Sequence, residues 1–283
     1  MKNVLEVWKM SRVWRFALIL AICLLCVWTL FPIYYGFITA FKSRVEITYW
    51  PPTLLPTEFT IHYWITVWFD RPTISYYRNT IIAAFISTIV ALAFGLPTAY
   101  SCARFNFRGR ADTLFTILTF RFLPPAAVVL PVYVFLRGLA LIDNPVSLGL
   151  IYGAINIPIA VWVLRSYISD IPPELEESYM IDGYSRFRAF TDITLPLIRP
   201  GLIAVALIIL ALSWGEFLFA SILTTSPAGK TLPVGISEYM GGEWGYEWNK
   251  IMAITFYAIL PLIIIFYIIR RQLIRGLTFG IVR

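Results

Sequence analysis

Apolar runs long enough to cross a bilayer recur six times along this chain, and that recurrence leaves few folds open. A membrane-spanning α-helix needs about 20 predominantly apolar residues. Runs of that kind fall at about 16–40, 80–103, 113–135, 146–164, 202–223 and 251–269. Pro32 interrupts the first, and Pro124, Pro125 and Pro131 interrupt the third. Such breaks are tolerated within a bundle because neighbouring helices satisfy the freed backbone groups. Only 14% of the 283 residues are charged, against about 25% in soluble domains, and the mean hydropathy is +0.76. A membrane β-barrel would instead show alternating segments of ~10 residues, which these are not. The expectation is an all-α, polytopic membrane protein of about six transmembrane helices.

Basic residues orient such a bundle, because Lys and Arg accumulate in the inner loops. Lys2, Lys9, Arg12 and Arg15 precede the first run. That run is longer than a signal-peptide core and has no small-x-small cleavage site after it, so a retained first helix is expected. With the N-terminus inside, fifteen of the 23 Lys and Arg residues lie inside, seven lie outside, and Arg121 falls within the third span. Both termini are therefore expected in the cytoplasm, as is the polar loop between the fourth and fifth spans. The layout expected is a cytoplasmic N-terminus at 1–15, a transmembrane domain at 16–272 with a loop at 171–200, and a cytoplasmic tail at 273–283. The net charge of +7 thus reports orientation, not a nucleic-acid partner.

Several chemistries are excluded by what is missing. His62 is the only histidine, so two-histidine zinc motifs are absent and no nucleophile has a histidine base within a span. Of the three cysteines, Cys23 and Cys26 form a C-x-x-C inside an apolar run and read as small packing residues; no metal site and no structural disulfide is expected. Gly229-Lys230-Thr231 imitates the end of a phosphate-binding loop, but Thr224 stands where the earlier glycine is required, so no nucleotide site is expected there.

The loop from Ile171 to Gly201 is more than a solvated connection. Pro172-Pro173 suits the start of a helix. Glu174, Glu176 and Glu177 follow in the first turn, where the helix dipole favours negative charge. Asp182-Gly183 then provides a bend. A second short amphipathic piece carries Phe187 and Phe190 beside Arg186 and Arg188, and Leu195-Pro196 is expected to end it. Acids are ill suited to the anionic inner leaflet, so the helix–bend–helix reads as a socket for another protein.

Two outer segments are substantial. The stretch 42–78 carries Trp50, Trp64 and Trp68 and suits a short interfacial helix. The stretch 224–250 is rich in glycine, with Gly241, Gly242, Trp244 and Trp248, and could adapt to a partner surface or simply form a hairpin between helices. Inside the membrane the costly residues are Arg121 and Glu216, next to Trp214. They are candidates for an intramembrane pair or for the substrate pathway.

The loop resembles the EAA loop of binding-protein-dependent ABC importer permeases, whose pattern is E-A-A-x-x-x-G followed by I-x-L-P. Here Glu177-Ser178-Tyr179, Gly183 and Ile193-Thr194-Leu195-Pro196 take those places. Ser178 and Tyr179 depart from the two alanines. Phe31-Pro32, Phe41-Lys42-Ser43, Ala103-Arg104, Trp214-Gly215-Glu216-Phe217 and Gly276-Leu277-Thr278-Phe279-Gly280 resemble the maltose-type, carbohydrate-uptake branch, with Gly215 where asparagine is commoner. The resemblance implies a carbohydrate or polyol importer subunit in a bacterial or archaeal plasma membrane. Its partners would be a second homologous permease, two ATPase subunits that hold the ATP and Mg²⁺, and an extracytoplasmic substrate-binding protein; this chain would hold no cofactor and catalyse no covalent chemistry. Glu177, Ser178, Tyr179, Asp182, Gly183, Leu195 and Pro196 would couple to an ATPase, which the tail residues Gly276, Leu277, Thr278 and Gly280 would also contact. Gly241, Gly242 and Trp244 would face the binding protein. The rival is a secondary active transporter, which would normally show more spans or inverted repeats.

Overall fold

The computed structural model describes the backbone of residues 12–241 and 245–278, and side chains at 13, 14, 16–241 and 245–270. Among these residues the regular structure is helical throughout: α1 (Arg12–Thr39), α2 (His62–Thr66), α3 (Thr73–Arg104), α4 (Arg110–Phe122), α5 (Pro125–Gly138), α6 (Pro145–Ser169), α7 (Glu174–Ile181), α8 (Arg186–Ala189), α9 (Leu195–Trp214), α10 (Leu218–Leu223), α11 (Leu232–Ser237) and α12 (Trp248–Thr278). Five of the described helical segments are long and apolar enough to span a membrane, or up to six if one bent pair counts as a single span.

Three expectations change. The third apolar run is not one helix: α4 and α5 meet at a 90° bend, because Pro124 and Pro125 cannot continue the hydrogen-bond ladder of α4. The fifth run breaks at Gly215-Glu216-Phe217, so that α9 and α10 are separate helices. Leu195-Pro196 does not end the second piece of the polar loop. A π-helical turn, Phe190–Thr194, joins α8 to α9, and the helix continues from Arg186 to Trp214. Leu195-Pro196 directly follows that π-helical turn, in the first turn of α9.

The described residues divide into two compact units, one drawn from 12–70 with 239–256 and the other from 71–238 with 257–278. In the first, Phe37, Phe41, Trp64 and Phe256 form a cluster of ring contacts, with centroids 5.1–6.3 Å apart. The segment after α1 is pinned by buried polar groups. Lys42 donates to the carbonyl of Thr53, and Glu46 accepts from the Thr53 hydroxyl at 2.7 Å and the Thr57 amide at 2.9 Å. Regular structure in the expected interfacial stretch is limited to a 3₁₀ turn at Glu46–Thr48 and to α2. Cys23 and Cys26 lie exposed on α1 rather than packed, while Cys102 is buried.

The second unit is built on α3 and α6. Gly149 and Gly153 form a G-x-x-x-G on α6, and a Cβ at either would lie 2.6 Å from Ile86 or Val90 of α3. Small residues allow this approach, which is how spans associate when lipid is as apolar as a side chain. Ala91, Ala99, Ala160, Leu164, Ile168, Ile198, Val205 and Ile209 bury a core between α3, α6 and α9. A polar contact crosses the same three helices. The hydroxyls of Ser87 and Ser213 lie 2.7 Å apart, and the Asn156 amide donates to Ser213 at 3.3 Å.

Candidate functional site

The polar loop between α6 and α9 is organised around Glu176, the middle of three acids in its first turn. Pro173 caps α7 and Glu174, Glu176 and Glu177 begin it. Successive helical residues point about 100° apart, so Glu176 and Glu177 cannot share a face. Glu176 turns inward and is 2% exposed. It accepts from Tyr100 Oη at 2.7 Å, from Arg104 Nε at 2.8 Å, and from the Thr194 hydroxyl. Burial opposes its charge, but the Thr194 and Tyr100 hydroxyls and the Arg104 guanidinium outweigh that and hold its carboxyl below the ordinary value of 4.5. One carboxylate therefore joins the end of α3, the start of α7 and the π-helical turn before α9. The ring of Phe190 packs edge-on to Tyr100 at 4.7 Å, and Arg186 lies 5.0 Å over Phe105.

Glu177 faces out, exposed, with Asp182. Ile181, the neighbour of Asp182, is 86% exposed, and Phe187, between Arg186 and Arg188, is 74% exposed. Gly183 holds φ +89° with nothing within 4 Å of a would-be Cβ; its glycine serves the backbone turn rather than packing. Ser178 donates to the carbonyl of Leu175 at 3.2 Å. Tyr179 stacks on Tyr184 at 4.3 Å and donates to Asp192 at 2.8 Å, and that acceptor raises the phenol above its ordinary value. These contacts fold the bend on itself. Glu176 and its three partners are absent from the residues the sequence singles out for coupling. The available signal was the aromatic–Arg pair Tyr100 and Arg104, four apart at the end of a span and hence on one face.

The second candidate region is the break in the fifth span. Arg121 and Glu216 line one cavity of about 200 Å³ together with Tyr152, Asn156, Ser213 and Phe219. They do not form an ion pair with each other. Glu216 instead accepts from the amides of Phe219 at 2.9 Å and Ala220 at 3.2 Å. Two free N–H groups at the start of α10 supply what the expected arginine would have supplied. Trp214 is buried outside that cavity, and its indole N–H donates to the carbonyl of Ala258 at 3.1 Å, tying α9 to α12.

The remaining candidate residues are placed unevenly. Gly241 holds φ +96°, whereas Gly242, Trp244 and Gly280 lie outside the described residues. Gly276, Leu277 and Thr278 are on the last turn of α12. Gly229 abuts Asp143 and Lys230 pairs with Glu238 at 2.5 Å, so the lysine of the phosphate-loop imitation is engaged structurally. No cluster of three or more His, Cys, Asp or Glu able to hold a metal occurs among the described residues.

The family model described as "Binding-protein-dependent transport system inner membrane component" matches residues 91–279. The inner membrane ABC transporter permease protein YcjP of Escherichia coli is 32% identical over 89% of this chain and 90% of its own. The trehalose/maltose transport system permease protein MalG of Thermococcus litoralis is 30% identical over 94% and 96%, and the sulfoquinovosyl glycerol transport system permease protein SmoH of Agrobacterium fabrum 31% over 92% and 91%. The crystal structure of a bacterial ABC transporter involved in import of the acidic polysaccharide alginate shares the fold, with TM-score 0.75 and 24% identity over 93% of this chain and 98% of that one.

Proposed function

The chain belongs to the family of binding-protein-dependent transport system inner membrane components, and on that premise we propose that its solute is a carbohydrate or related polyol, moved when ATPase subunits act on the loop built on α7. The chain is a multi-pass membrane permease subunit of an ABC importer, a transport subunit rather than an enzyme. The sugar reading is supported by relatives named for trehalose/maltose and for sulfoquinovosyl glycerol transport.

The observation that carries the coupling reading is the division of labour between adjacent glutamates: Glu176 is buried in three hydrogen bonds while Glu177 stands exposed beside Ile181 and Asp182. A rigid helix with an acidic, apolar outer edge suits a cleft on a partner that offers a basic group and an apolar floor. In this reading the partners are a second permease, two ATPase subunits that hold ATP and Mg²⁺, and an external binding protein that meets the loop around Gly241. Both termini and the α7 loop lie on the cytoplasmic side, as the basic residues favour. Closure of the ATPase pair displaces α7. Through Glu176 that displacement reaches α3 and α9 together, and the bundle exchanges inward-open for outward-open because ATP binding stabilises the two states differently.

The test is Glu177→Ala in the assembled complex of both permeases and both ATPase subunits. Membrane insertion and the Glu176 contacts should survive. Sugar uptake should fall by about tenfold or more, the loss expected for one charge-assisted hydrogen bond. Uptake equal to that of the unaltered complex would remove the coupling assignment.

A further inference from the structure

The turn that joins α3 to α4 presents cations and aromatic rings side by side. α3 ends at Arg104 and α4 begins at Arg110. Between them Gly109 holds φ +82°, and the carbonyl of Phe107 accepts from the Arg110 amide at 3.3 Å, which closes a tight turn. Phe105 is 39% and Phe107 41% exposed, and Arg108 is exposed with them. Arg104 is already engaged by Glu176, and Arg110 donates to the Asn106 side chain at 2.9 Å. Among the described residues no acid forms an ion pair with Arg108, Arg110 or Arg186. Asp112, exposed in the first turn of α4, is the one carboxylate on the stretch 104–119.

The patch extends beyond the turn. Arg186, at the start of α8, lies 5.0 Å over the ring of Phe105 and brings a further cation from the segment that follows α7. The buried contact between Arg104 and Glu176 ties the two segments together, so the patch lies at the same end of the bundle as α7.

Sign and composition select what covers it. α7 presents Glu177 and Asp182 outward, which suit a basic cleft on a partner. A surface of the opposite sign does not fit that cleft. It suits anionic headgroups, which attract basic residues beside a span and which a guanidinium grips at the phosphate oxygens. Phenylalanine among arginines at the end of a span matches the boundary between headgroup and acyl chain. Phe115, in the second turn of α4 and 71% exposed, continues the apolar side away from the turn.

We infer that Phe105, Phe107, Arg108, Arg110 and Arg186 form a binding surface for anionic phospholipid of the cytoplasmic leaflet, built jointly by the α3–α4 turn and α8. The inference goes beyond the proposed function and takes from it only the orientation. Because α8 leads through the π-helical turn into α9, lipid held here bears on the segment that α7 would drive.

The experiment uses the complete importer in nanodiscs of phosphatidylcholine, alone or mixed with phosphatidylglycerol. Each lipid is supplied in turn as a photoreactive analogue, and labelling of the peptides containing 105–110 and 186–189 is measured by mass spectrometry. Hydrogen exchange of 105–110 is followed in the same discs. The unaltered complex should be labelled in preference by phosphatidylglycerol, with 105–110 better protected in the mixed discs. Arg108→Gln should weaken that preference about fivefold, the factor expected of one basic residue at an anionic surface, while Arg108→Lys keeps it. Asp112→Asn should strengthen it by a similar factor. Both positions are exposed, so neither change removes a buried contact. Equal labelling by the two lipids, or a preference unmoved by Arg108→Gln and Asp112→Asn, overturns the inference. Protection of 105–110 that is identical in both discs assigns the patch to a protein neighbour and overturns it as well. None of these readouts requires transport, so the importer assignment stands whichever result is obtained.

Discussion

Arg104 donates its Nε to Glu176 at 2.8 Å, and the two side chains are 6% and 2% exposed. A buried pair of this kind is held by its geometry, and removal of one member leaves a buried charge without compensation, at a cost of about 3–5 kcal/mol. Arg104→Ala should therefore free the start of α7 from α3. ATP hydrolysis by the assembled complex should persist while sugar uptake is lost, which a comparison of the two rates in proteoliposomes reads directly. Equal loss of both would indicate failed assembly and count against a role in transmission.

Acid should release the same contact. The folded-state pKa of Glu176 is depressed, so its contribution to stability is complete above the unfolded value of about 4.5 and disappears as pH falls through the lower, folded value. The hydrogen-exchange protection of residues 174–194, after correction for the intrinsic pH dependence of amide exchange, should be constant from neutral pH down to that ordinary carboxylate value and fall below it. Glu176→Gln should abolish the step.

Gly183 is a test of backbone rather than of space. A left-handed residue with a Cβ costs about 1–2 kcal/mol, and nothing crowds the position. Gly183→Asn should retain most transport and Gly183→Val should lose it. Similar rates for the two would separate the bend from coupling.

The α3–α6 seam makes the opposite demand. A Cβ at Gly153 would already lie 2.6 Å from Val90, so Gly153→Leu must part the helices, with overpacking costs of about 1–3 kcal/mol or more. The variant should lower the melting temperature of the purified complex, and Val90→Ala in the same chain should restore part of it. Absence of any rescue would show that the two helices are not in direct contact there.

Away from the spans, Asp143 gathers the loop before α11. It accepts from the amide of Thr225 at 2.6 Å, its hydroxyl at 2.7 Å and the amide of Ser226 at 2.9 Å. Asp143→Ala should expose residues 224–230 to protease in membrane vesicles while leaving the spans assembled, whereas Asp143→Asn should be milder because it keeps an acceptor.

Membrane class, approximate spans and the special character of the 171–201 loop were all legible in the residues. They depend on length, hydropathy and local backbone chemistry: about 20 apolar residues cross a bilayer, prolines start helices, and Gly183 turns. Other decisions belonged to the tertiary structure. Glu176 and Glu177 are chemically identical neighbours, and which of them faces Tyr100 and Arg104 depends on how α7 docks against the end of α3. Arg121 and Glu216 look like a pair in the chain, yet the break after Trp214 offers Glu216 two backbone amides that need no second charge. The Gly149-x-x-x-Gly153 spacing marks a close-packing face in the chain, but not the helix it meets, because in a membrane a helix face toward lipid and one toward another helix are both apolar. Only the packed neighbours, with the hydrogen bonds they offer and the space they deny, tell such faces apart.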